Sequence, residues 1–173
     1  MSSCRCSRPR SQVEGGAGFL WGASILHAAF QKQPDDPCHE IKAWHSLRPL
    51  LPDDIPPLIA DESVQQASDI PALAGGADGI NIKLTKAGGL REARRMITLA
   101  RTLGMQVMLG CSVESSVGIT AAAHLAPLVD FADLDGNLNV ANDPYAGVRM
   151  ENGRLHLPQE PGLGVTRLAG REL

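Results

Sequence analysis

The feature that most constrains this chain is a repeat: short apolar runs that end on a charged or polar residue and lead into a helical pattern. Pro57–Ala60 runs into Asp61-Glu62, and Gly79–Leu84 carries Lys83. Met105–Gly110 leads into Cys111–Glu114, and Asp130–Leu134 holds Asp133 and is followed by Asp135. Runs this short, bounded by turn residues, read as buried strands of a parallel sheet. Their starts recur about every 22–27 residues, the period of one strand–helix unit. The expected fold is α/β, a partial (β/α) barrel of TIM type or an open α/β sheet. It has about four parallel strands, where a whole barrel takes about eight.

The connecting segments fit this plan. Ile41, Trp44, Leu47 and Leu50 recur every three residues within Glu40–Leu50, an amphipathic helix stopped by Pro49 and Pro52. A short helix is expected from Ser63. A second opens at Asp69-Ile70-Pro71, with proline in its first turn, and ends at Gly75-Gly76. Leu90–Leu103 places Leu90, Ala93, Ile97 and Ala100 on one face and stops at Gly104. Ser115–Leu125 reads as a further helix, and Glu151-Asn152-Gly153 as a hairpin turn.

Composition narrows the function classes. The 173 residues fit one domain. Aromatics make up 3%, so the core must be aliphatic. A net charge of −3 without a basic stripe argues against nucleic-acid binding. No run reaches the roughly 18 apolar residues of a membrane span, so no membrane partner is expected. Cys4, Cys6, Cys38 and Cys111 include no C-x-x-C pair. They read as free thiols of a reducing, cytoplasmic compartment.

Residues 1–18 lack periodicity and are expected to be disordered. Arg5, Arg8 and Arg10 ahead of the apolar Phe19–Phe30 stretch imitate a targeting peptide, but Glu14 and the lack of a small-x-small cleavage site argue against one. Residues 22–31 could be helix or strand. The expected division is a disordered or anomalous segment at 1–31, barrel at 32–165 and a tail at 166–173.

Polar groups at strand ends would meet at the C-terminal mouth of the sheet. Alternation puts Asn81 and Lys83 opposite Ile80 and Ile82, so Lys83 faces the barrel interior if the isoleucines face the helices. A buried lysine beside a metal should have its pKa lowered from about 10.4 toward the range of a general base. Asp61 offers the hard oxygen that Mg²⁺ takes. Together they describe removal of a proton α to a carboxylate. The plainer alternatives are a helix cap for Asp61, a solvated Lys83, and turn residues at Asp133 and Asp135.

The segments PLIADES, INIKLTKAGGL, MLGCSVESSVGITAAAHLA, FADLDG and GRLHLPQEPGLGV resemble, in that order, successive landmarks of the enolase superfamily, and the resemblance covers Leu47 to Val165. They are most similar to its muconate-lactonizing subgroup and the dipeptide epimerases within it. The resemblance implies Asp61 as the third carboxylate ligand of Mg²⁺ and Lys83 as the acid/base lysine. It implies Cys111, Ser112, Val113 and Glu114 as the loop lining the substrate pocket. Asp133 and Asp135 would hold the α-ammonium group of a small dipeptide.

The chain also departs from that pattern. No K-x-K lysine pair is recognisable, nor are the two earlier metal carboxylates. Lys32-Gln33-Pro34 stands where the family has E-Q-P, and a cation there repels Mg²⁺. The leading expectation is a C-terminal barrel fragment, from a truncated gene or a misplaced start, that binds Mg²⁺ weakly or not at all and is inactive alone. The alternatives are a half barrel completed by self-association or by a separate N-terminal half, and a non-catalytic binding or structural protein. In a half barrel, interior side chains such as Val107 and Leu109 should be partly wet. Lys86, past the strand end, should be dispensable.

Overall fold

The computed structural model describes residues 26–28, 41–52 and 54–170. Its centre is a parallel sheet of β1 (Leu26–Ala28), β2 (Leu58–Ala60), β3 (Gly79–Lys83), β4 (Gln106–Gly110) and β5 (Phe131–Ala132), neighbours in that order. The four expected strands are present and adjacent in sequence order. A further strand lies within residues 22–31, which the sequence left open as helix or strand: β1 pairs with β2, which gives the outer backbone groups of β2 hydrogen-bond partners. The remaining expectations for residues 1–40, including the cysteines at 4, 6 and 38 and Lys32, lie outside the described residues.

Connections between the strands are helical, as parallel pairing requires. After β1 comes α1 (Ile41–Leu47), then a 3₁₀ turn at Arg48–Leu50 where Pro49 denies the α-helix a donor. Trp44 is buried as expected, whereas Leu50 is 78% exposed because the chain has left the helix before reaching it. Between β2 and β3, Ser63 starts no helix. A 3₁₀ turn spans Ala67–Asp69, and α2 follows at Ile70–Leu73. Asp69 Oδ2 accepts hydrogen bonds from the backbone N–H groups of Gln65 and Gln66, each at 3.0 Å, and holds this stretch as a turn.

After β3, α3 (Leu84–Ala87) takes up Leu84, which had been expected in the strand. Gly88 (φ +80°) and Gly89 (φ +120°) then redirect the chain into α4 (Leu90–Thr102). Both angles are ones that side chains with a Cβ rarely adopt. β4 is followed by α5 (Ser116–Ala123). Beyond β5 lie two small antiparallel pairs: β6 (Tyr145–Ala146) with β9 (Thr166–Arg167), and β7 (Arg149–Glu151) with β8 (Arg154–His156). The last is the expected hairpin. Asn152 and Gly153 both have positive φ, as a type I′ turn demands.

The main core lies between sheet and helices. Leu58, Ala60, Ile80, Ile82, Val107 and Leu109 pack there with Ala93, Met96, Ile97 and Ala100 of α4 and Ile119 of α5. Each fully buried Ile or Leu contributes roughly 1.5–3 kcal/mol. Val107 and Leu109 are 0% exposed, contrary to the expectation that they would be wet. The register explains it: Ile80 pairs with Val107 and Ile82 with Leu109, so both face the helices. The opposite face carries Ile59, Asn81 and Met108, which are also buried. Among the described residues, no helix is long and apolar enough to cross a membrane.

Candidate active site

The C-terminal ends of the strands carry a compact group of charges. Asp61 directly follows β2 and Lys83 ends β3. Lys83 Nζ donates to Asp61 Oδ2 at 2.8 Å and to Glu62 Oε1 at 3.0 Å. The Lys83 side chain is 14% exposed and that of Asp61 6%. Asn81, two residues before Lys83 on the same face of β3, donates from Nδ2 to Asp61 Oδ1 at 3.0 Å. Glu62 Oε2 accepts from Lys86 Nζ, which α3 brings round beside it.

Gly110, paired with Lys83 across the ladder, leaves room for this arrangement. A Cβ there would lie 2.6 Å from the Asn81 amide. Asn81 Oδ1 is buried and has no hydrogen-bond partner among the described residues. It is a spare acceptor at the centre of the cluster.

These contacts overturn the expected direction of the lysine's pKa. Burial alone pulls Lys83 down, but the hydrogen bonds and charges of Asp61 and Glu62 outweigh it and hold the ammonium above its ordinary value. Glu62 is held below its ordinary value, mainly by its hydrogen bond from Lys86. Burial opposes that shift, and Lys83 adds to it.

The loops after β4 and β5 supply the remaining expected residues. Cys111 Sγ lies 3.8 Å from Asp135 Oδ1. Burial pushes the Cys111 thiol up, and backbone hydrogen bonds from Gly136 and Asp135 act the other way. Gly136 is packed against this loop: a Cβ there would come within 2.0 Å of the Ser112 carbonyl oxygen. Asp133 is exposed and anchored through its backbone N–H to the Leu109 carbonyl at 2.8 Å, while Asp135 is half-buried. Ser112 and Val113 are exposed.

Glu114 turns back on its own loop. Its Oε1 accepts from the Ser112 N–H at 3.3 Å, and its Oε2 is buried against Gly118 with no hydrogen-bond partner among the described residues. The N–H of Ser116, at the start of α5, is satisfied instead by Asp143 Oδ2 at 2.5 Å.

All eight sequence-derived residues thus lie at one end of the sheet, in two groups. Asp61 and Lys83 touch each other, and Cys111 touches Asp135. Sequence reasoning left Glu62, Asn81 and Lys86 out of the site, although each carried a signal. Glu62 is next to Asp61, Asn81 shares the strand face of Lys83, and Lys86 is one helical turn beyond it.

Magnesium requires several converging oxygens. Among the described residues no three His, Cys, Asp or Glu side chains are placed to hold a metal. The Asp61 carboxylate also carries the bonds from Lys83 and Asn81. The described residues by themselves therefore do not fit a magnesium ion.

Known proteins share this arrangement of sequence and fold. The L-Ala-D/L-Glu epimerase of Bacteroides thetaiotaomicron is 53% identical over 138 residues, covering 80% of this chain and 34% of that protein. The L-Ala-D/L-Glu epimerase of Escherichia coli is 46% identical over 146 residues, covering 84% and 44%. A crystal structure of a dipeptide epimerase from Methylococcus capsulatus, complexed with Mg and the dipeptide L-Arg-D-Lys, superimposes with a TM-score of 0.65. It shares 41% identity over 72% of this chain and 37% of that one. The chain thus spans less than half the length of these relatives. The enolase C-terminal domain-like family matches residues 31–168, a range that contains strands β2 to β5 and both groups of site residues. On that match the chain belongs to the enolase C-terminal domain-like family.

Proposed function

We propose that this chain carries the C-terminal share of a dipeptide epimerase site, in which Lys83 moves the proton α to the substrate carboxylate. The observation that carries the reading is the Lys83 ammonium fixed 2.8 Å from Asp61 at the strand end that also presents Asp133 and Asp135. Two carboxylates on one loop suit the α-ammonium of a small dipeptide, and Cys111, Ser112, Val113 and Glu114 border that position. The names of the relatives support the same substrate class.

Held between two carboxylates, Lys83 keeps its proton. It stands as the acid that returns a proton to the α-carbon, and to act as the base it must first lose an ion pair. In this reading residues 32–165 form the barrel portion, and Asp61 is one ligand of a Mg²⁺ set completed from outside the described residues. With one carboxylate ligand and one base among the described residues, the chain alone should exchange dipeptide protons no faster than background.

A second reading concerns assembly. β5 pairs with β4 on one side and with no strand on the other among the described residues, so a second copy or a separate chain could continue the sheet. Sedimentation of the purified chain separates monomer from self-associated forms.

The test of function is L-Ala-L-Glu in D₂O with Mg²⁺. Calorimetry should show binding that is lost in Asp133→Asn and Asp135→Asn, and NMR should show no exchange of the α-proton. Absence of binding sinks the substrate class. Exchange by the chain alone, abolished by Lys83→Ala, shows a complete site and overturns the inactivity.

A further inference from the structure

We propose that Lys86 and Glu62 form a clamp that fixes the position of the Lys83 ammonium, which makes Lys86 a positioning residue for the acid–base step. The inference rests on the reading of Lys83 as the acid/base group, and it revises the sequence expectation that Lys86 is dispensable.

The clamp follows from how the chain leaves β3. Helix α3 begins at Leu84, immediately after Lys83. A residue three places on is a neighbour on a helix surface, so Lys86 returns to the side from which Lys83 projects. Gly88, in the left-handed region, then ends the helix. From there Lys86 Nζ reaches Glu62 Oε2, while Lys83 Nζ holds Glu62 Oε1 at 3.0 Å. One carboxylate therefore uses each oxygen on a different ammonium.

Lys83 itself is tied to Asp61 on its other side. An ammonium has three donors. With two of them fixed by carboxylates on successive residues, the direction of the third is set as well.

Glu62 needs its own anchor to do this. Its side chain is 40% exposed, whereas Asp61 is buried and already held by Asn81. Without Lys86 the glutamate would be a mobile partner, and the long lysine stem would regain rotamer freedom. Charge points the same way. Asp61, Glu62, Lys83 and Lys86 sum to zero, and loss of Lys86 leaves an excess negative charge beside the buried Asp61. An ordinary exposed lysine–glutamate pair contributes little. This one differs because its glutamate is shared with a lysine that is 14% exposed.

The test reads the lysine ammonium groups of the ¹⁵N-labelled chain by NMR, with no substrate present and at mildly acidic pH. The Lys83 signal is assigned by its loss in Lys83→Met. In the unaltered chain it should exchange slowly with water. Lys86→Met should speed that exchange about tenfold, the scale of losing a charge-assisted contact. Lys86→Arg should restore slow exchange, and Glu62→Gln should speed it by at least as much as Lys86→Met. Lys42→Met, at an exposed lysine on α1, should leave it unchanged.

Thermal melts confirm that each variant is folded, and Glu62→Gln tests the clamp from its other half should Lys86→Met not fold. A missing Lys83 signal in the unaltered chain, or Lys86→Met exchange equal to it, overturns the clamp. The measurement involves no dipeptide, so failure of the epimerase reading in the binding and proton-exchange assay is a separate result.

Discussion

The two ends of the parallel sheet use the same ingredients, carboxylates and cations, to different purposes. At the N-terminal end, Asp78 precedes β3 and accepts from the Leu58 N–H and from Arg48 Nη1, both at 2.8 Å. Asp130 precedes β5 and repeats the device one strand pair along, accepting from the Val107 N–H at 2.7 Å and from Arg101 Nη1 at 2.6 Å. Each aspartate caps the neighbouring strand and is closed off by an arginine, whose charge is permanent.

At the C-terminal end the cations are lysines, two of them share one glutamate, and the acceptors Asn81 Oδ1 and Glu114 Oε2 are buried without hydrogen-bond partners among the described residues. The two paired aspartates hold strands in register, although Gln106 Oε1 at the start of β4 is also buried without a hydrogen-bond partner among the described residues. Acceptors left with spare capacity, beside a lysine whose proton is held by two carboxylates, are suited to chemistry. Stability residues at the base and reactive residues at the mouth are the usual division in such sheets.

The comparison can be broken most forcefully at Lys83. In any assembly that exchanges the dipeptide α-proton, Lys83→Ala should lower the rate about 10²–10⁴-fold, measured by deuterium uptake. A smaller loss would move the acid/base role elsewhere.

The next effect belongs to the other end. Asp78→Ala leaves the Leu58 N–H and Arg48 without their acceptor. That should cost roughly 2 kcal/mol, or about 4–8 °C in melting temperature for a chain of this size, with dipeptide binding unchanged. A change in binding would erase the distinction between the ends.

A pH series sharpens it further. The Glu62 carboxyl is held below its ordinary value of 4.5, so its stabilisation is present above that value and is lost as pH falls through its folded pKa. Lys83, held above 10.5, contributes fully below that value and loses its contribution as pH rises through its folded pKa. In Glu62→Gln the acid-side loss of stability should shrink, as followed by circular dichroism. The smallest effect is expected at the hairpin pair Arg149–Glu151, exposed on both sides. Arg149→Ala should shift stability by less than about 0.5 kcal/mol.

Much of this was legible in the residues. The runs at 57–61 and 79–84 announced β2 and β3, and the polar residues at their ends announced the mouth. The face of β4 was harder to read. Gln106–Gly110 is apolar through its middle, so alternation cannot say which side Val107 and Leu109 take, and only pairing with β3 decides it. The helix expected at Ser63 failed for a tertiary reason: Ser63 Oγ accepts from Trp44 Nε1 at 3.0 Å, and Asp69 occupies the N–H groups of Gln65 and Gln66. The direction of the Lys83 pKa was hidden because it depends on the balance between burial and the hydrogen bonds to Asp61 first and Glu62 second, contacts that only the folded chain reveals.

The strand order also bears on time. Every neighbouring pair in the main sheet is parallel, so no two of its strands can meet until a whole intervening connection has been closed. The Asn152-Gly153 hairpin is different, since β7 and β8 are joined by that turn alone. A hairpin of this kind forms in about 1–10 μs, while pairings between distant segments slow folding by orders of magnitude. The small hairpin near the C-terminus can therefore form and dissolve many times while the chain waits for Lys83 to meet Asp61.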